Sequence, residues 1–244
     1  PIHHVNIYRG PLWFDGQNTE VNFKAFAKAL KSIFPQRPLR KIRWLPEWPD
    51  GYQSDNKFLA DLGYKKKQQT FETVWLDLAA PLEIIRGRFD RKWRNHLNKA
   101  ERSQLSISMD NQGHHLDEFI RNYDFFKHLR NFEGPNGNFM REEISKALPF
   151  KDALIFWART QNIPVAGIVV MKHGASASYR ISWNTPEGRS QNAHFLLLWK
   201  AIELLKRQNI RHLDLGGLLP DDKCGLNIFK LGMNGTRTKA EMFG

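Results

Sequence analysis

Residues 193–207 constrain this chain more than any other stretch. Phe195, Leu196, Leu197, Leu198, Trp199, Ala201, Ile202, Leu204 and Leu205 leave almost no polar face. A helix that is apolar nearly all round has to be buried. Three strand candidates precede it, at 153–159, 163–171 and 176–183. Gln161-Asn162 and His173-Gly174 join them as hairpin-like turns. A strand at 210–215 follows and runs into Gly216-Gly217. Upstream, 116–131 reads as an amphipathic helix. The loop Glu133-Gly134-Pro135-Asn136-Gly137-Asn138 and a short helix at 140–148 come next. From residue 116 the order is helix, helix, three antiparallel strands, buried helix, strand. The class is therefore mixed α/β.

The first third of the chain reads as alternating elements. Residues 2–8 form a strand entering the turn Arg9-Gly10-Pro11. Val21, Phe23, Phe26, Ala27, Leu30 and Phe34 repeat at helical spacing over 21–34, and Pro35 ends that helix. Residues 40–45 are extended. Two prolines and an Asp-Gly make 45–51 a loop. A short helix at 55–62 closes on Gly63, and 70–78 alternates as a strand. A helix over 81–103 then places Leu82, Ile85, Phe89, Trp93, Leu97 and Ala100 in an arc about 120° wide. Arg88, Arg91, Lys92, Lys99 and Arg102 occupy the opposite arc. Residues 86–102 hold seven Lys/Arg against two acids. A polar loop follows at 110–115.

Composition narrows the partners. The 244 residues carry 37 Lys+Arg against 25 Asp+Glu, a net charge of +12. With 41% hydrophobic and 12% aromatic residues, the chain is not a disordered tail. No run approaches the ~18–20 apolar residues of a membrane span. The one cysteine, Cys224, rules out a disulfide framework and fits a reducing, cytoplasmic compartment. Nine His show no metal spacing, so no metal is predicted. The basic excess points to an anionic partner: nucleic acid, a phosphorylated ligand or an anionic lipid headgroup. The start at Pro1-Ile2-His3-His4, without Met, suggests numbering from inside a longer protein.

Several motifs together resemble the FemABX-type transferases, which have a GNAT-type acyltransferase fold. These are Leu213-Asp214-Leu215-Gly216-Gly217, Ile228-Phe229-Lys230-Leu231-Gly232-Met233, and the final strand through Glu241 to Gly244. Tyr8-Arg9-Gly10-Pro11 is similar to the family's Pro-Arg-Gly-Pro turn. Thr73 to Leu78 matches its Thr-x-x-x-Asp-Leu strand, and Arg94, Lys99 and Ala100 its basic helix. One departure is Met233, where the family's turn ends in Phe. The resemblance implies tandem GNAT-like domains: 1–78, N-terminally incomplete, and 79–244, comprising the basic linking helix and the second domain. The last strand is free to pair back with the first domain. The long helical-hairpin arm of some members is not expected, since there is no heptad run.

The resemblance also implies amide formation. An aminoacyl group moves from aminoacyl-tRNA to an amine of a peptidoglycan-type or secondary-metabolite precursor, with no cofactor beyond the co-substrate. The alternative donor is acyl-CoA. A CoA-dependent GNAT needs bare backbone N–H groups, in an Arg/Gln-x-x-Gly-x-Gly/Ala turn, to cradle the pyrophosphate at a helix N-terminus. Here Arg189 is present, but Asn192 and His194 stand at the glycine positions. Arg189 equally suits a structural cap. The basic face of 86–102 suits tRNA, since a polyanion is held by several cations that release its counterions. Contact with an anionic membrane and a merely solvated helix face are the other readings. A non-catalytic RNA- or membrane-binding adaptor completes the alternatives. A monomer is expected.

For chemistry, Lys230 is the first candidate. Amine attack on an ester makes a tetrahedral oxyanion, which a placed cation stabilises, and the family's Phe-Lys turn carries a functional lysine at the donor end. Phe229 would pack beside that end. Asp214 is a candidate base or a turn-shaping acceptor. His194 is a candidate base or a structural histidine. Tyr8, Arg9, Tyr179 and Arg180 are candidates for an anionic acceptor. Tyr179, Ile181 and Trp183 are predicted on one strand face, with Arg180 and Ser182 on the other.

Overall fold

The computed structural model describes residues 3–7, 10–11, 16–46, 56–132, 134–221 and 224–244. In chain order the elements begin β1 (His3–Ile7), α1 (Glu20–Ile33), β2 (Arg40–Trp44), α2 (Asn56–Asp61) and β3 (Lys66–Asp77). They continue α3 (Leu82–Arg88), α4 (Arg91–Glu101), β4 (Ser106–Asp110), α5 (Leu116–Leu129) and α6 (Gly137–Ala147). Next come β5 (Ala153–Thr160), β6 (Ile163–His173), β7 (Ser176–Asn184), α7 (Pro186–Ser190) and α8 (Ala193–Arg207). The chain ends β8 (His212–Gly217), α9 (Gly225–Leu231) and β9 (Thr236–Phe243). Two compact units emerge: residues 1–72 with 238–244, and residues 73–237.

In the first unit β1 and β2 pair in parallel, from His3↔Arg40 to Ile7↔Trp44, with α1 as the crossover. The last strand joins this unit, Phe243 pairing antiparallel with Trp44. Thr19 caps α1, its Oγ1 accepting the Asn22 N–H at 3.2 Å. The helical spacing then lays Phe23, Ala27 and Leu30 on a core of Trp44, Leu59, Tyr64 and Phe243. Gly63 closes α2 with φ +81°, in the left-handed region glycine enters without strain. Glu241 accepts from Lys66 and from Asn56 Nδ2.

The second unit carries the order β3-β8-β7-β6-β5-β4. Every neighbouring pair is antiparallel except β7–β8, which is parallel and bridged by α8. Helices cover both faces. Val74, Leu76, Trp93, Leu97, Leu197 and Leu213 belong to one apolar cluster, which gathers α3, α4 and α8. Phe119, Tyr123, Met140, Ile144, Trp157 and Trp183 belong to the other, under α5 and α6. Coverage on both sides explains why Ala153 to Ala158 of β5 are all buried rather than alternating. Within its cluster α8 packs on α4 through Trp93–Phe195, ring centres 5.1 Å apart, and on Phe89 just before α4 through Trp199, 6.0 Å apart.

Four expectations need correction. The predicted helix over 81–103 is two helices. Phe89 and Asp90 are extended, with ψ +148° at both. Distant residues hold that break: the Asp90 N–H donates to the Gly232 carbonyl at 2.8 Å, and Asn234 Nδ2 donates to Arg88 O and Asp90 Oδ1. The Phe-Lys turn is a helix, α9, capped by Cys224 Sγ on the Asn227 N–H. The strand β4 was not anticipated, because only Ile107 and Asp110 of its five residues turn inward. Finally, Tyr179 and Ile181 do not share a face. The register slips between Val169↔Ile181 and Val170↔Tyr179. That bulge at Arg180 sends Tyr179 into the α8 cluster and Ile181 and Trp183 into the α5–α6 cluster.

Candidate active site

The site candidates of the second unit gather where β7 and β8 part. The two strands pair in register from Ser176↔His212 to Ser178↔Asp214. β8 then stays with β3, Gly217 opposite Thr73, while β7 runs on to Asn184 beside β6. Gly216 turns the strand at φ +75°, where a Cβ would stand 3.1 Å from the Tyr179 carbonyl oxygen and 3.6 Å from Lys230 Nζ. Only glycine meets both the backbone angle and the close approach.

Lys230 fills this corner. It is 5% exposed, and its Nζ donates to the Gly217 carbonyl at 2.7 Å. Burial pulls its pKa down to about 8, against the opposing pull of Asp214 and Cys224. The group is therefore still mostly an ammonium at neutral pH. Asp214, 3% exposed, accepts the Gly216 N–H at 2.9 Å and a hydrogen bond from the Thr73 hydroxyl. Thr73 Oγ1 also lies 3.0 Å from the Gly216 carbonyl oxygen. The carboxylate thus braces the end of β8 in the geometry that presents Gly217 to Lys230.

The loop from β8 to α9 is fixed by Asn227, a fully buried residue that the sequence reading passed over. Its Oδ1 accepts the Leu219 N–H at 2.9 Å, and its Nδ2 donates to Leu219 O at 2.7 Å and Asp221 O at 3.0 Å. A buried amide satisfied by one loop is a rigid strut. No periodicity marks such a residue; only its place three residues before Lys230 hints at it.

The basic helix lies directly against this corner. Trp93 Nε1 donates to the Phe229 carbonyl at 3.0 Å, and Phe229 packs among Trp93, Phe195 and His194. Arg91, Lys92, Lys99 and Arg102 are exposed, and among the described residues none of them has an ion-pair partner. Arg88, at the end of α3 before the break, lies 3.9 Å from Asp77 Oδ2. A groove of about 420 Å³ between α3 and α4 is lined by Glu83, Arg86, Arg91 and Arg94, with Arg86 paired to Glu101.

The start of α8 carries no side-chain cap, and its two neighbouring polar side chains bond to other elements. Asn192, at φ +58°, precedes the helix, and its Oδ1 lies 2.8 Å from His96 Nδ1 of α4. His194 Nε2 lies 3.0 Å from the Trp183 carbonyl oxygen, so that nitrogen carries the proton. Burial holds its pKa at about 4, with the Trp183 carbonyl opposing and Arg189 adding to the fall. Arg189 itself is exposed at the end of α7.

The acceptor candidates are dispersed. Tyr8 and Arg9 lie outside the described residues. Tyr179 is 7% exposed, and burial pushes its phenol up to about 12. Arg180 turns the other way, Nη2 lying 2.9 and 2.7 Å from the carboxylate oxygens of Glu143 on α6. Among the described residues no group of three His, Cys, Asp or Glu is placed to hold a metal ion, and no helix is long and apolar enough to cross a membrane.

A three-layer unit whose one parallel strand pair parts at its end is the plan of an acyltransferase of the GNAT type. Residues 87–230, more than half of the chain, match the family model described as an acetyltransferase (GNAT) domain, and the chain belongs to that family. The fold is shared with FemX at a TM-score of 0.74 and 12% identity, over 98% of this chain and 79% of that one. It is also shared with L-PGS from Bacillus licheniformis, at 0.61 and 16% over 92% and 74%. A tandem GNAT protein from the clavulanic acid biosynthesis pathway aligns at 0.53 and 14% over 95% and 72%. No curated protein matches the chain.

Proposed function

We propose that the protein is an aminoacyltransferase. It would take an aminoacyl group from aminoacyl-tRNA and form an amide on an amine of a peptidoglycan-type or secondary-metabolite precursor, as a cytoplasmic monomer. The observation that carries this reading is the pairing of a buried ammonium, Lys230, with a helix that packs on the helix of Lys230 and whose four exposed cations have no ion-pair partner among the described residues.

In this reading the acceptor amine attacks the ester carbonyl carbon. The C–N bond forms, and the carbonyl π electrons move to oxygen beside the Lys230 ammonium. The tetrahedral species collapses as the ester C–O bond breaks, and the amine proton ends on the departing ribose hydroxyl. A placed cation at such an oxyanion contributes about 3–4 kcal/mol. Asp214 acts by positioning. Its carboxylate already accepts from Gly216 and Thr73, so no protein base is assigned: the acceptor amine attacks in its neutral form and its surplus proton passes to the departing ribose oxygen. Phe229, Arg189, Arg88, Arg91, Lys92, Lys99 and Arg102 are the proposed donor contacts. Tyr179 and Arg180 face opposite sides of the sheet and cannot meet one acceptor, so Tyr8 and Arg9 are the proposed acceptor contacts. Asn192 and His194, standing at the glycine positions of a CoA-type turn, are the sequence feature that favours tRNA over CoA in this reading.

The test is transfer of a labelled amino acid from charged tRNA to a set of amine acceptors. Product formation abolished by RNase supports the reading. RNase-insensitive acylation with acyl-CoA, together with thermal stabilisation by CoA, overturns the tRNA donor and keeps only N-acyl transfer.

A further inference from the structure

One buried hydroxyl at the corner of Lys230 has no part in the acyl-transfer steps. Thr73 of β3 is 3% exposed, and its Oγ1 reaches two acceptors: Oδ1 of the Asp214 carboxylate, and the Gly216 carbonyl oxygen at 3.0 Å. A threonine hydroxyl carries one proton, so it serves one acceptor at a time. The charged one takes the stronger bond. β8 has an extra residue here, since Thr73 stands opposite Gly217 and Trp75 opposite Asp214. Gly216, at φ +75°, absorbs the surplus. The Gly216 N–H and the Thr73 hydroxyl thereby meet on one carboxylate oxygen, Asp214 Oδ1.

Lys230 feels the charge of that carboxylate and yet does not pair with it. Asp214 pulls its pKa upward, but the Nζ hydrogen bond goes to the Gly217 carbonyl at 2.7 Å. Among the described residues Lys230 has no ion-pair partner. The difference matters to an oxyanion forming nearby. An ammonium bonded to a neutral carbonyl keeps its net charge, whereas an ammonium paired with a carboxylate presents a neutral pair and attracts a new anion far less.

We propose that Thr73 is a positioning residue of this site: its hydroxyl keeps the Asp214 carboxylate on the Gly216 turn, and so keeps the Lys230 ammonium on the Gly217 carbonyl instead of in an ion pair with Asp214. This role rests on the reading of Lys230 as the cation beside the oxyanion. Without the hydroxyl, Asp214 Oδ1 keeps only the Gly216 N–H of these two donors, and its less compensated charge acts more strongly on Lys230. The other titratable groups around α9 are Cys224 at its start, His194 on α8, and Asp90 with the cations of α4. Of all these groups, Thr73 bonds to Asp214.

Two measurements on the full chain test this. The first is the titration of the Lys230 side chain by NMR, its signal assigned by its loss in K230M. It needs no donor, so it decides the role of Thr73 whatever the donor is. T73V and T73A both remove the hydroxyl, and a thermal melt checks that each is folded; one folded variant suffices. Either should move the Lys230 midpoint upward by about half a pH unit or more. T73S keeps the hydroxyl and should titrate as wild type. The second measurement is transfer from charged tRNA. T73V should lower kcat roughly tenfold and leave KM within about twofold, because the oxyanion exists only beyond the ground state. T73S should restore kcat. A midpoint that stays or falls when the hydroxyl is removed overturns the role of Thr73. So does a T73S variant as impaired as T73V, which would make the position one of packing. Absence of transfer in wild type overturns the tRNA reading instead, and the NMR midpoints still decide whether Thr73 holds Asp214 away from Lys230.

Discussion

At the scale of single residues, Lys230 and His194 show burial acting on two bases with opposite consequences. Lys230 is useful only while charged, and its pKa of about 8 sets an upper pH limit. Transfer should fall as pH rises through that value. Asp214 pulls this pKa upward, so Asp214→Asn should shift the alkaline limb of the kcat/KM profile to lower pH. Lys230→Met should abolish the limb and lower kcat/KM by about 10²–10³. His194 is useful while neutral. Its folded pKa of about 4 lies below the 6.5 of an exposed histidine. The stability it protects is therefore present above 6.5 and is lost as pH falls through 4. Allowing for the partial exposure of the side chain, wild type should lose about 1–2 kcal/mol by pH 5 through this group. His194→Gln keeps a donor for the Trp183 carbonyl but cannot charge. Urea unfolding at pH 7 and pH 5 should show the smaller acid loss in that variant.

At the scale of elements, the informative case is the break between α3 and α4. The periodicity from Leu82 to Ala100 was legible, and Ile85, Phe89, Trp93, Leu97 and Ala100 are all buried as that pattern requires. The break was not, because it is imposed by Gly232 and Asn234, more than a hundred residues away in the chain. Asn234 sits at φ +51° and donates twice, so its two roles are separable. Asn234→Gly should cost about 1 kcal/mol, the donor bonds alone. Asn234→Ala should cost about 2–3 kcal/mol, because the left-handed angle is then strained as well. Urea melts read the two costs, and hydrogen exchange in the first turn of α4 should quicken in both. The same logic explains the rest of the reading. β5, β6 and α8 were legible because their apolar runs are local. Arg180's bulge and Asn227's strut were not, because each is fixed by what lies across the sheet or loop. Of the site, Lys230 and Asp214 were found through their motif, while Thr73's grip on Asp214 needed the fold.

At the scale of the whole molecule, the net charge of +12 is unevenly placed. One concentration is α4, beside the corner of Lys230; another is β2 of the first unit, with Arg40, Lys41 and Arg43. Net charge alone would attract any polyanion, so the α4 reading needs a measurement that separates placed charge from total charge. Salt dependence supplies it. Each cation neutralising a phosphate releases counterions, and the slope of log K against log salt falls by about 0.7–0.9 for each contact removed. Lys92→Gln with Lys99→Gln should therefore flatten the slope for tRNA by roughly 1.5. The matched variant Lys146→Gln with Arg207→Gln removes the same two charges from exposed positions on α6 and α8. Its affinity should drop slightly at low salt while its slope stays that of wild type. Filter binding across a salt series reads both. If the two variants flatten the slope equally, the cations of α4 act only through the net charge, and the donor is held elsewhere.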